Sequence, residues 1–249
     1  MKFRQLLPAL AGLHCASAAD NNELSRQATD PTASLMALNF QCTYIGGYHG
    51  AAPPGQPDDA FQFAFRPVIP FEAFGKPNIL RLTMPFQTGG RGEEGFKPIS
   101  LFDLMVFNES WGRWGIGPVM TFDTTGDLPD EFVIGPAVGG VWQVNKKFNI
   151  GLFTQNVFWS DTAVTQIQPV IAYQLGDGWS LSAGDLQFTY DWDAARWVDV
   201  PIGIQLGKVV KLGGLPTRFA INPQYNLKND RGLEEWQVTF TFTALFPTF

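Results

Sequence analysis

Arg66, Arg81, Gln166, Gln168, Asp199, Gln205, Arg218, Asn222, Gln224, Gln237 and Thr239 carry the polar chemistry of this chain, set between aromatic or aliphatic neighbours. Their amides, guanidiniums, hydroxyl and carboxylate supply hydrogen-bond donors and acceptors and charges of both signs. Placed on one surface, such groups would bind and pass small polar or amphipathic solutes, or would pair with one another and fill a narrow space. Trp197 falls in the same phase as Asp199 and is expected to offer a stacking platform for an aromatic ligand.

Covalent and metal chemistry are poorly supplied. The chain has two histidines and two cysteines, and His14 and Cys15 fall in an N-terminal leader. Cys42 then has no disulfide partner, and it sits in phase with Leu38, Phe40 and Tyr44 as a small apolar residue. His49 lies in the Gly-rich string Gly46 to Gly50, and Ser110 falls at the opposite end of its strand pattern, so no nucleophile and base are brought together. No catalytic residue, metal site or cofactor is expected. A formal net charge of -6 argues against nucleic acid as a partner.

The elements that must position the polar residues follow from a period of two. From Glu235 to Phe246, Trp236, Val238, Phe240, Phe242, Ala244 and Phe246 alternate with Gln237, Thr239, Thr241 and Thr243. Strand side chains alternate between faces, so this segment has one greasy and one polar side. A bilayer-crossing strand of a closed barrel needs that pattern over roughly ten residues.

The same pattern recurs upstream. It reads Leu38 to Tyr44, Phe61 to Phe65, Leu80 to Phe86, Phe102 with Leu104 and Val106, Trp114 to Phe122, Phe132 to Val138, Phe148 to Leu152 and Ile167 to Leu175. Trp179 to Trp192, Val198 to Leu206 and Phe219 to Tyr225 complete it before the terminal segment. The mean hydropathy of -0.03 conceals these faces because alternation averages them. The expectation is an all-β, transmembrane, antiparallel up-and-down β-barrel of about 12 strands spanning 35–249. An even strand number brings both ends of the barrel to the periplasmic side.

Lys2 and Arg4, the apolar run Leu6 to Leu13 and the small residues Ala16 to Ala19 read as a signal peptide over 1–19. Residues 20–34 are then a periplasmic N-terminal segment, and the location is the cell outer membrane. Outer-membrane lipid, lipopolysaccharide, the barrel-insertion machinery and small organic solutes are the expected partners. The tryptophans fall at strand ends, as interfacial girdles do. Pro67, Pro118, Pro136, Pro169 and Pro223 lie inside strands and are expected at bulges, and a phase slip places another bulge at Gly184 and Asp185.

Gly112 to Pro118 (GRWGIGP), Ile134 to Val138 (IGPAV), Gln168-Pro169 with Tyr173 to Trp179 (YQLGDGW), Pro201 to Lys208 (PIGIQLGK) and Asn222 to Tyr225 (NPQY) occur in that order. Together they resemble the outer-membrane transporter family named for the phenol meta-cleavage pathway, over most of the chain from about Phe61. The resemblance implies an outer-membrane barrel and uptake of small organic or hydrophobic compounds, and it carries over no catalytic residues. Two alternatives remain at this point. One is a closed structural or adhesion barrel with a lumen plugged by Arg66, Arg81 and Arg218, and the other is a soluble β-sandwich that buries its aromatic face.

Overall fold

The computed structural model describes residues 20–91, 94–124, 132–159, 162–230 and 232–247. Residues 1–19, expected as a signal peptide, the acidic residues Glu93, Asp127, Asp130, Glu131 and Asp161, and the terminal Thr248 and Phe249 lie outside them.

Twelve strands form one antiparallel ring. They are β1 (Leu35–Tyr48), β2 (Ala60–Ala73), β3 (Lys76–Gly89), β4 (Ile99–Glu109), β5 (Gly112–Phe122), β6 (Phe132–Gln143), β7 (Phe148–Trp159) and β8 (Thr162–Gly176). β9 runs in two pieces, Trp179–Ser182 and Phe188–Asp191, and β10 in three, Arg196–Asp199, Pro201–Gly203 and Gln205–Leu212. β11 (Leu215–Asn226) and β12 (Glu234–Pro247) follow. β12 pairs with β1 from Leu35↔Pro247 to Tyr48↔Glu234 and closes the ring. Closure leaves no strand edge to aggregate or to be stranded in lipid. The expected all-β barrel is the fold observed.

The outer wall is apolar. Phe40, Phe63, Phe219, Phe240 and Phe242 are exposed on it, and direct pairing such as Phe40↔Phe242 and Phe219↔Phe242 builds an aromatic surface across β11, β12 and β1. Exposed tryptophans collect near the two rims: Trp111, Trp142 and Trp179 by the short turns, and Trp192, Trp197 and Trp236 by the longer loops. An apolar belt between aromatic girdles is what a bilayer-spanning barrel presents.

The facing expected for β4 is reversed. Phe102, Leu104 and Val106 on β4 point inward, where they are buried with Ile79, Val119, Ala137, Val141, Phe153 and Val170. The alternate residues Leu101, Met105 and Phe107 are also apolar, so hydrophobicity does not distinguish the two faces of β4. Glycines decide it from the neighbouring strands. A Cβ at Gly115 would fall on Leu104, and one at Gly139 on Phe153. Those glycines leave room for large side chains inside.

The prolines also behave differently from the bulges expected. At Pro67 and Pro118 the register is the same on both sides of the proline, Phe65↔Met84 then Val68↔Arg81, and Phe102↔Val119 then Met105↔Ile116. Pro223 likewise separates Leu206↔Ile221 from Gly203↔Gln224 without a slip. A strand residue sends its N–H to one neighbour only, so each proline interrupts one ladder and leaves the other intact. Pro169 is different, because the β9 segment opposite it leaves the wall altogether.

Residues 20–34, expected as a periplasmic segment ahead of the barrel, pack inside its turn end. Asp20 caps the helix α1 (Asn21–Ala28) by accepting from the Asn22 N–H. Eight residues are too few for a helix that stands alone in water. Fully buried Leu24 holds it against Leu35, Ala37, Val209 and Leu245 on the inner wall. Within α1, burial opposes ionisation of Glu23, but hydrogen bonds from Arg26 and Gln27 outweigh it and hold the carboxyl below the usual carboxylate range.

Gly117→Ala should be among the most damaging one-carbon additions in the wall, because its Cβ would fall on the Asp103 carbonyl oxygen of the adjacent strand. Overpacking of this kind costs about 1–3 kcal/mol. The expected outcome is a lower temperature for the loss of the folded, heat-modifiable band on a detergent gel.

Candidate functional site

The site is the lumen, and it begins where β9 breaks. Ser182 pairs with Ala172 and Phe188 with Ile167, so five residues on β9 face four on β8. The extra length folds inward. Gly184 turns it with a φ of 67°, and a Cβ there would lie 2.7 Å from the Asn222 side-chain oxygen. Only glycine fits this turn against β11.

The excursion carries Asp185 across the barrel to β1 and β2. Its carboxylate accepts from the Gln41 amide at 2.6 Å and from Arg66 at 2.9 Å, and Arg66 also donates to Gln41 at 3.1 Å. The backbone is secured in turn: the Gln168 amide donates to the Gly184 carbonyl at 3.4 Å, and the Ala183 N–H donates to the Ile171 carbonyl at 2.8 Å. The expected bulge at Gly184 and Asp185 is therefore a bridge through the lumen.

Below the bridge, towards the turn end, is a chamber of about 140 Å³. Its floor is the end of α1 with Thr29, Asp30 and Pro31. Arg66, Arg81 and Arg218 line it with neutral polar residues such as Gln168, Gln205 and Thr241, and Leu35, Ala37, Val68, Ile79, Phe102 and Leu245 add an apolar part. Arg218 donates to Gln205 at 2.6 Å, and the Arg81 guanidinium lies 4.4 Å from the centre of the Phe102 ring. Asp30 is fully buried and pairs with Arg113 at 2.5 Å, which fixes the floor to β5.

Above the bridge is a second cavity of about 140 Å³, lined by Asp185, Asp199, Glu234, Glu235 and Gln237 among others. Asn226 donates to Asp199 at 2.8 Å, Gln224 to Asn222 at 2.6 Å, and Gln237 to Gln224 at 2.9 Å. Gln166 accepts from Gln187 at 2.8 Å, and Thr239 shares a 2.8 Å hydrogen bond with Thr43. Asp185 lines both cavities.

Arg66, Arg81, Gln168, Gln205 and Arg218 thus come together at the lower chamber, and Asp199, Gln224 and Gln237 at the upper one. Asn222 lies between them beside Gly184. Trp197 belongs to neither. It pairs with Tyr190, its ring centroid is 5.2 Å from that of Tyr190, and it is exposed on the outer wall. Thr189 pairs with Asp199 and Tyr190 with Trp197, so one extra residue in β10 sends Trp197 outward while Asp199 stays inward. Gln41, Asp30 and Asp185 are further residues of the lumen wall that the alternation pattern did not single out. The phase slip at Gly184 was the one sequence signal for Asp185.

An outer membrane channel from Pseudomonas putida F1 superposes with a TM-score of 0.65 at 12% identity, over 87% of this chain and 98% of that one. The chain has the outer-membrane β-barrel fold. Outer membrane phospholipase A from Escherichia coli is less similar, with a TM-score of 0.45 at 11% identity over 88% and 98% of the two chains. No family model and no curated protein matches the sequence. His49 donates through Nε2 to the Asn226 carbonyl oxygen, 3.3 Å away, and its ring stands edge-on to Tyr225.

Asp30→Asn should release the floor of the chamber. Removing one member of a buried ion pair costs about 3–5 kcal/mol, because the remaining charge is stranded. The expected result is faster hydrogen exchange and proteolysis within residues 21–34, with the barrel's own heat-modifiable band retained.

Proposed function

We propose that this protein is an outer-membrane channel or facilitator for the uptake of small organic solutes with apolar or aromatic bodies. The observation that carries the reading is the lumen itself: two cavities meet at Asp185, with hydrogen-bonding side chains on one part of the wall and an apolar cluster on the other. A solute with an apolar body and a polar end finds both surfaces at once. The motif resemblance to the phenol meta-cleavage transporter family agrees with such solutes. The outer apolar belt with its tryptophan rims is consistent with a place in the cell outer membrane, among lipid and lipopolysaccharide, after delivery by the barrel-insertion machinery.

A second reading is a closed structural or adhesion barrel. The Arg66–Asp185 bridge and the α1 floor favour it, because both obstruct the axis. The two readings differ in what loosening the bridge does. Asp185→Ala removes the acceptor that ties β9 to Gln41 and Arg66.

In proteoliposome swelling with phenylalanine, which carries an apolar ring and a polar end, and with glycine, the wild-type protein should admit solute faster than protein-free vesicles, and Asp185→Ala should raise the rate several-fold. Vesicles that stay impermeable with both proteins would establish the closed barrel instead.

A further inference from the structure

The lower chamber holds more positive charge than its acids balance. Arg66 is paired with Asp185, and Asp30 is paired with Arg113. Arg81 and Arg218 have no carboxylate partner among the described residues. Arg218 is only 4% exposed, and its Nε has no hydrogen-bond partner, nor has that of Arg81. Buried guanidiniums without an anion are costly, whereas a bound carboxylate can meet their planar N–H groups in pairs.

The rest of the wall sets the other half of the ligand. Ile79, Phe102 and Leu245 face the same space, which measures about 140 Å³. A cavity of roughly 150 Å³ is enough to take a benzene ring. The acids of the upper cavity, Asp199, Glu234 and Glu235, work against multiply charged anions on their way in.

We infer that the lower chamber is a binding site for a small monocarboxylate with an apolar, single-ring body, held by Arg81 and Arg218 with its ring against Phe102 and Ile79. This names the solute class of the channel proposed above and rests on that reading, yet binding and passage can be measured separately.

The test is titration calorimetry of the detergent-purified full chain with benzoate, with its neutral analogue benzamide, and with acetate. Benzoate should bind at least about tenfold more tightly than either, the scale of one charge-assisted hydrogen bond. Arg81→Gln and Arg218→Gln should each weaken benzoate by a similar factor and leave benzamide unchanged. Asp185→Asn, which removes the competing carboxylate, should tighten it, so the inference stays testable should an arginine variant fail to fold. Equal binding of benzoate and benzamide, no benzoate binding, or benzoate affinity unmoved by all three substitutions would overturn it. Swelling assays report independently on passage: a permeable barrel that ignores benzoate defeats this inference alone, whereas an impermeable barrel that binds benzoate through Arg81 and Arg218 defeats only the channel reading.

Discussion

A sheet that crosses lipid must satisfy its backbone hydrogen bonds within the protein, since hydrocarbon offers no water to take their place. Everything distinctive about this barrel is a response to that constraint. The ring closes through a long β1–β12 ladder. Pro67, Pro118 and Pro223 each cost one ladder bond on one side and do not disturb the register of their strand. Where the wall cannot stay regular, opposite Pro169, the chain turns inward and finds its partners inside: Gln168, Ile171 and, through Asp185, Gln41 and Arg66. The lumen's central feature is thus the consequence of a local failure of pairing in the wall.

That inward turn divides the interior, and the two halves have different chemistry. Acids gather above the bridge and guanidiniums below it, while β3 to β8 supply an apolar flank with Phe102 and Phe153 in it. Small residues make this possible, since Gly115 and Gly139 vacate the volume that Leu104 and Phe153 occupy. The helix α1 then completes the lower chamber by burying Leu24 and tying Asp30 to Arg113. An aromatic belt outside and an amphipathic space inside come from the same alternating strands.

Much of this was legible in the residues, and the exceptions have physical reasons. β1, β11 and β12 read correctly because one face is aromatic and the other carries amides, hydroxyls or arginine, so a period of two has one solution. β4 did not, because Leu101, Met105 and Phe107 compete with Phe102, Leu104 and Val106 for either face, and the deciding glycines lie on other strands. Trp197 and Asp199 share a parity in sequence but not in space, since a single extra residue between them reverses the facing. A phase slip marked Gly184 and Asp185, yet a slip shows that the chain departs from the ladder and not in which direction. The inward packing of residues 20–34 depends on long-range contacts of Leu24 and Asp30 that no local pattern announces.

The central claim is that solutes pass through the chamber between Asp185 and α1, and site-specific blockage tests it most directly. In a Cys42→Ser background, Thr241→Cys places a thiol on the chamber wall, and Phe242→Cys places one on the lipid-facing side of the same strand. A membrane-impermeant maleimide should react at position 241 and abolish most of the solute permeation, while the Phe242→Cys protein keeps its permeation after the same treatment. Solute flux that is undiminished after full labelling at position 241 would contradict the account.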